Sequence, residues 1–471
     1  MDRRGDLPDV VLVVFDTARR DRFGAYGYGR RTTPATDSLA AAGLVADRMI
    51  ANGPWTLPSH ASLFTGLYPT EHGAQWQTGR RLNDDVRVTL AELLRDAGYE
   101  TLCATNNALI SSSTGLARGF DRHVHRSDLE GPWSRRARQL RKVAAGGDSG
   151  GAVINRWIRR QLPTVRKPLF LFVNYLECHW PYAPPRRLHR LVGGERFDLP
   201  GELRYRWTLA RRTGPWDAVG TADEETLEVY SALYDAEHRN VDAHLEHLLD
   251  MLEGAGRLRP GASIVLVTSD HGEHLGEHGL ADHQASLDDH LIRVPFVAWG
   301  PGIVRSGRRA AVAEFVDVLP AIADVVGIEL PVPYLADRRS DLLSGQDGGA
   351  NGGGRPAFAE WRAWAPEDLA RVQARHPRYD FAGLVRDLAC ARDERFKFVR
   401  AGDGTEAFYD LEADPAEERD VAAAHPADRD RLRSALDAQR VSWASFRTEP
   451  SDLSDRQTEE IEQHLSELGY L

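Results

Sequence analysis

The chain has 471 residues, 42% hydrophobic and 27% charged, a globular composition long enough for a large core and a smaller second one. Its 59 Lys and Arg against 70 Asp and Glu leave a formal charge of -11, so the overall balance gives no support to a nucleic-acid or anionic-membrane partner. Three widely spaced cysteines, Cys103, Cys178 and Cys390, lack metal-type spacing and argue against a disulfide framework and a thiolate zinc site.

The opening "MDRRGDLPDVVLVVF" passes from charges directly into a short apolar run, without the long apolar stretch and cleavage site of a secretory signal. No later stretch approaches a membrane span, so the expectation is a cytoplasmic protein. The first apolar run, 9–15, reads as a buried strand ending at Asp16. "PATDSLAAAGLVADRM" (34–49) and "TLAELLRDAGYE" (89–100) read as helices, the second with Gly98 suited to a C-cap. Between them, "NGPWTLPSHASLFTGLYPTEHG" (52–73) places Thr56 at the start of a helical run, where free backbone N–H groups favour an anion.

Three further strands follow at "PLFLFVNYL" (168–176), "SIVLVTS" (263–269) and "VPFVAWG" (294–300). Segment 223–252 sets Leu227, Tyr230, Leu233, Tyr234, Val241, Leu245 and Leu248 on one stripe, as a sheet-covering helix would. Strands alternating with helices predict an α/β fold with a mainly parallel sheet flanked by helices. Ligands of such sheets bind beyond the carboxyl ends of the strands, where Asp16 and Asp270 fall.

The expected division is a catalytic domain over 1–343, a Gly-rich loop "SGQDGGANGGGR" over 344–355, a C-terminal α+β subdomain over 356–450 with a charged helix near 427–440, and a helical tail over 451–471. The tail is expected to pack Ile461, Leu465, Leu468 and Leu471. Residues 180–225, rich in Arg, aromatics and Pro, read as a substrate-facing insertion.

Taken in order, these pieces resemble the sulfatase branch of the alkaline phosphatase superfamily over nearly the whole chain. "VVFDTARRDRFGAYGY" is similar to the family's opening strand and metal aspartate, and "TLPSHASLFTGLYPTEHG" to its nucleophile signature and helix. "ECHWPYAPP" resembles its H-x-P-Y segment, "VTSDHGEHLGEHGL" its second metal motif, and "EAFYDLEADPAEERDVA" its C-terminal domain. The resemblance implies an alkaline-phosphatase-like sheet, a small anionic ester as substrate and one divalent metal.

The departures from the family pattern carry information. Standard sulfatases have Cys or Ser within C/S-x-P-x-R, oxidised to formylglycine; here Thr56 and His60 stand at the first and last positions, and threonine is not a substrate for that maturation. The resemblance therefore implies an enzyme without formylglycine in which Thr56 acts as an alcohol nucleophile. The usual Asp-Asp is here Asp16-Thr17, and the usual Asp-Asn is Asp270-His271. Exchanging a carboxylate for an imidazole favours zinc or manganese over calcium or magnesium, because nitrogen ligands suit transition metals. Asp16, Asp270, His271 and Thr56 Oγ1 are the implied ligands.

His179 and His283 match positions that contact the transferred group or the leaving oxygen, and are expected to act as acid or charge partner. Asn107, in place of the lysine common in that segment, and His60 are the expected substrate contacts. His274, His278 and His290 read as structural or as lying just behind the residues that touch the substrate. Asp235, His238 and Asp242 share a helix face that could hold a second metal, but a solvated charged face is the ordinary explanation, and one metal is expected. The functional expectation is a metal-dependent hydrolase cleaving phosphate, phosphonate or sulfate esters through Thr56. A genuine sulfatase, a group transferase and a catalytically silent binding protein on the same scaffold are the alternatives.

Overall fold

The computed structural model describes residues 7–76, 80–131, 147–188, 216, 224–331, 335, 338, 341–344, 354–444 and 455–468. Its centre is an eight-stranded sheet made of β1 (Asp9–Phe15), β2 (Leu44–Ala46), β3 (Glu100–Thr105), β4 (Arg122–His125), β5 (Leu169–Tyr175), β6 (Ser263–Thr268), β7 (Phe296–Trp299) and β8 (Gly307–Arg309). The spatial order is β8-β2-β7-β6-β1-β5-β3-β4. β1 pairs in parallel with β5 and β6, and β5, β3 and β4 continue the parallel run. β7 runs antiparallel to both β6 and β2.

The period-two alternation of β1 sends its side chains to opposite faces of the sheet. Val10, Leu12 and Val14 join one buried cluster with Leu57, Ala61 and Leu63 of helix α2 (Thr56–Thr65). Val11, Val13 and Phe15 join the other with Leu233, Leu245 and Leu248 of helix α3 (Glu224–Gly254). The sheet is therefore covered by helices on both faces, which is why β1, β5 and β6 are buried at every position. The expected stripe on α3 is present: Tyr230, Leu233, Tyr234, Val241, Leu245 and Leu248 are buried, and Leu227 packs at the margin.

The helix expected over 34–49 stops at Ala42, and residues 44–46 form β2 instead. Gly43 is the reason: a Cβ there would lie 2.3 Å from the Ala298 carbonyl oxygen, so the chain leaves the helix by passing tightly against β7. The helix expected over 89–100 runs from Leu90 to Asp96, with Thr89 and Glu92 forming a capping box. The chain then turns at Gly98, with φ of 105°, and enters β3.

A four-stranded antiparallel sheet follows, ordered β9 (Ala357–Trp361), β10 (Leu388–Arg392), β11 (Phe396–Ala401) and β12 (Glu406–Asp410). Leu432 and Leu436 of helix α4 (Pro426–Ala444) pack on its Phe398 and Phe408. β9 docks on the catalytic segment: Glu360 N–H donates to the Asn52 carbonyl at 2.9 Å, and Asn52 Nδ2 donates to the Phe358 carbonyl at 2.8 Å. In the terminal helix Asp455–Leu468, Ile461 and Leu465 are buried. Leu471, the Leu468 side chain, most of the Gly-rich stretch and most of the 180–225 insertion lie outside the described residues. Among the described residues no helix is long and apolar enough to cross a membrane.

Candidate active site

The carboxyl ends of the three central strands deliver the polar groups. Asp16 follows β1, Asn174 lies one residue before the end of β5, and Asp270 lies two residues beyond β6. All three are fully buried. The turn after Asp16 places Thr17 at φ of 61°, a strained conformation for a β-branched residue, held where Thr17 N–H donates to Asp270 Oδ1 at 3.0 Å.

Three buried atoms converge without hydrogen-bond partners: Asp16 Oδ1, Asp270 Oδ2 and His271 Nε2. Their ligand groups lie within 4.8 Å of one another. The remaining polar atoms of the same side chains are engaged. Asp16 Oδ2 accepts from Asn107 Nδ2 at 2.8 Å and Asn174 Nδ2 at 3.0 Å, and Asp270 Oδ1 accepts from the amides of Thr17 and His271 at 3.0 Å each. His271 Nδ1 donates to the Gly272 carbonyl at 2.9 Å, which leaves the Nε2 lone pair for a ligand. Burial, then the nearby Asp270, pushes the Asp16 carboxyl well above the usual carboxylate range. Burial also raises Asp270, but His271, His60 and the Thr17 amide overcome it and hold that carboxyl below the usual range. Two dry carboxylates this close need a cation to be ionised together, and two oxygens with one imidazole nitrogen form a fitting donor set for a divalent ion.

Thr56 opens α2 and is fully buried, and its Oγ1 accepts from Asn107 Nδ2 at 3.2 Å. One amide nitrogen thus spans the Thr56 hydroxyl and the Asp16 carboxylate. Asn107 Oδ1 accepts from Leu109 N–H at 3.0 Å, which fixes the side chain in this orientation. His60, one helical turn beyond Thr56, donates Nδ1 to the Thr56 carbonyl at 2.9 Å and approaches Asp270 Oδ2 at 3.5 Å. Its ring is wedged edge-on against Phe64 and Phe172, and burial lowers its pKa. In this arrangement His60 touches Thr56 and Asp270, and Asn107 touches Thr56 and Asp16.

His179 and His283 meet beside this group, with ring centroids 5.3 Å apart, and His283 lies 4.2 Å from the His271 ring. His283 Nδ1 faces Glu273 Oε1 at 3.2 Å and Asp282 Oδ1 at 2.8 Å, so two carboxylates orient its ring. Burial, then the neighbouring His283, pushes the His179 pKa down to about 4. Three participants were not read from the sequence: Asn174, Glu273 and Asp282. The available signals were the lone amide inside the apolar run of β5 and the acidic residues flanking the Asp270 motif and His283.

Asp235, His238 and Asp242 do not assemble into a metal-binding group. Asp235 pairs with Arg22 at 3.0 Å and Arg30 at 2.5 Å, Asp242 accepts the amides of Ala35 and Thr36, and His238 packs on Tyr234 and Phe23. All three are buried, which corrects the expectation of a solvated face: the helix charges are matched internally. His274 and His278 both pair with Asp288, at 3.3 and 3.0 Å.

A large, mainly parallel sheet flanked by helices, with a small antiparallel sheet beside it, matches the fold of sulfatase-like hydrolases in the alkaline phosphatase superfamily. The family model described as Sulfatase matches residues 8–328, and the chain belongs to the sulfatase family. An arylsulfatase of Clostridium perfringens is 23% identical over 459 residues, covering 87% of this chain and 89% of its own. The crystal structure of the phosphonate monoester hydrolase of Agrobacterium radiobacter superposes with a TM-score of 0.72 at 23% identity, over 93% of this chain and 96% of that one. Another solved structure, in complex with its substrate D-glucosamine-2-N,6-O-disulfate, superposes with a TM-score of 0.71 at 18% identity, over 95% and 100%. The chain is an ester hydrolase of this superfamily, whose sulfatase members bind a divalent metal.

Proposed function

We propose that this chain is a metal-dependent hydrolase of phosphate or phosphonate esters that uses Thr56 as its nucleophile, with sulfate esters as secondary substrates. The observation that carries the reading is the placement of Thr56 Oγ1: first residue of α2, fully buried, and tied by Asn107 Nδ2 to the same carboxylate that helps form the cation site. The position held by a formylglycine precursor in standard sulfatases is a threonine, which that maturation does not convert. The imidazole among Asp16, Asp270 and His271 favours zinc or manganese. A bound divalent ion supplies positive charge that lowers the pKa of the Thr56 hydroxyl and offsets charge on the transferred group.

The residues then divide the work. Thr56 Oγ1 gives its proton to solvent and attacks phosphorus, forming an O–P bond as the bond to the leaving oxygen breaks. His283 gives that oxygen its proton, its ring lying beside those of His271 and His179 and fixed by Glu273 and Asp282. Water attacks the phosphorus of the adduct and gives its proton to His283 as the bond from Thr56 Oγ1 to phosphorus breaks, and the Thr56 oxygen takes a proton back from solvent. The N-terminal end of α2 would favour an anionic group at Thr56. The phosphonate monoester hydrolase among the structural neighbours supports the phosphoryl reading, and the neighbour bound to a disulfated glucosamine supports a small anionic ester as substrate.

Thr56→Val, nearly isosteric, should abolish turnover of an aryl phosphonate while leaving thermal stability close to the parent, and Thr56→Ser should retain part of the activity. Rapid acid quenching followed by peptide mass spectrometry should find phosphorylated Thr56 in the parent. Parent-level turnover by Thr56→Val would assign the attack to water and discard the covalent step.

A further inference from the structure

We propose that Asp148, Glu177 and His244 form a second divalent-cation site, distinct from the one at Asp16, Asp270 and His271. The carboxylate oxygens and imidazole nitrogen lie within 4.8 Å of one another. His244 Nε2 stands 3.3 Å from Asp148 Oδ1 and 3.7 Å from Glu177 Oε1. Glu177 is fully buried, yet its Oε2 has no hydrogen-bond partner; His244 is only 8% exposed, and neither of its ring nitrogens makes a hydrogen bond.

The surrounding structure fixes these donors in place. Asp148 accepts the amides of Gly150, Gly151 and Ala152 at 2.7, 2.8 and 3.1 Å, and Glu177 Oε1 accepts the Gly151 amide at 3.0 Å. The His244 ring stacks on Tyr175 with centroids 5.8 Å apart. Gly151 makes room for it: a Cβ there would lie 2.4 Å from His244 Cδ2. Two carboxylates and an imidazole suit zinc or manganese, with water completing the shell. The three donors come from separate segments: the loop before helix Gly151–Gln161, the turn after β5, and α3. A cation here would clamp the turn that carries His179, two residues beyond Glu177, to the long helix.

The test uses the full chain with Asp16→Asn and Asp270→Asn together, which removes the first site and separates this proposal from the assigned function. Cobalt(II) titration read by visible absorption, with bound metal counted after gel filtration, should show one ion per chain in that variant and none once Glu177→Gln and His244→Gln are added. Gly151→Ala, which keeps every ligand and displaces the imidazole, should weaken cobalt binding at least ~10-fold by removing the nitrogen donor, and it serves as the readout if the quadruple variant fails to fold. Absence of cobalt binding in the Asp16→Asn/Asp270→Asn chain, or binding unaffected by Gly151→Ala or by loss of Glu177 and His244, would overturn the proposal and leave a protonated His244 between two carboxylates.

Discussion

Asn107 donates Nδ2 to Thr56 Oγ1 at 3.2 Å, and the same nitrogen reaches Asp16 Oδ2 at 2.8 Å. The amide therefore sets the spacing between the proposed nucleophile and a proposed metal ligand. Asn107→Ala removes that donor and should lower kcat by about 100-fold, the scale of losing one preorganised donor, with KM changed little. A rise in KM at unchanged kcat would make Asn107 a substrate contact rather than a positioning residue.

Lys397 joins the C-terminal sheet to the loop that follows His283. It is fully buried on β11, donates to the Leu287 carbonyl at 2.9 Å, and pairs with Glu417 and with Asp289 at 3.4 Å. Burial opposes its charge, but Glu417 and Asp289 overcome that and raise its pKa. Lys397→Met would leave the buried Glu417 without its cation while Asp289 keeps Arg392, and urea denaturation should show a loss of about 3–5 kcal/mol. A change under about 0.5 kcal/mol would mean that Arg392, paired with Asp289 at 2.9 Å, carries the junction alone.

Acid should act on the core through His238. Burial pushes its pKa down to about 4, against about 6.5 for the unfolded chain. Between these values the unfolded state binds a proton that the native state refuses, so this group's contribution is intact above pH ~6.5 and is lost as pH falls. His238→Asn keeps a side-chain donor for the Tyr234 carbonyl, which His238 Nδ1 engages at 2.9 Å. Relative to the parent, its unfolding free energy should improve by up to about 1.4 kcal/mol per pH unit on going below pH ~6.5. A stability difference independent of pH from 7.5 to about 4.5 would contradict this assignment.

Asp16, Thr56 and the Asp270-His271 pair were legible because each sits at or just past a strand end or at a helix start, inside a motif that resembles the sulfatase family's; position alone would leave each a cap or turn residue. Asn174 was hidden by its surroundings: in "PLFLFVNYL" the apolar run announces a buried strand and gives no reason to expect its amide to reach Asp16. The outer strands β3 and β4, "ETLCAT" and "RHVH", are short and mixed in composition, so the pairing of β3 with β5 and of β4 with β3 defines them more than their own pattern does. β2 escaped notice because its three residues continue the apolar spacing of the helix before it, and only the close approach at Gly43 ends that helix. Asp148, Glu177 and His244 lie on separate elements, and no sequence spacing connects them.

Which ester Thr56 turns over depends on how its adduct is resolved. A formylglycine hydrate expels sulfate by elimination across its second hydroxyl, whereas a threonine adduct has only the attack of water on the central atom, a route suited to phosphorus. Measuring kcat/KM for a phosphonate monoester and a sulfate monoester of the same phenol, on one metal-loaded preparation, tests this most directly. The phosphonate ester should give the higher value. A clear preference for the sulfate ester would contradict this and make the chain a sulfatase in which Thr56 activates water.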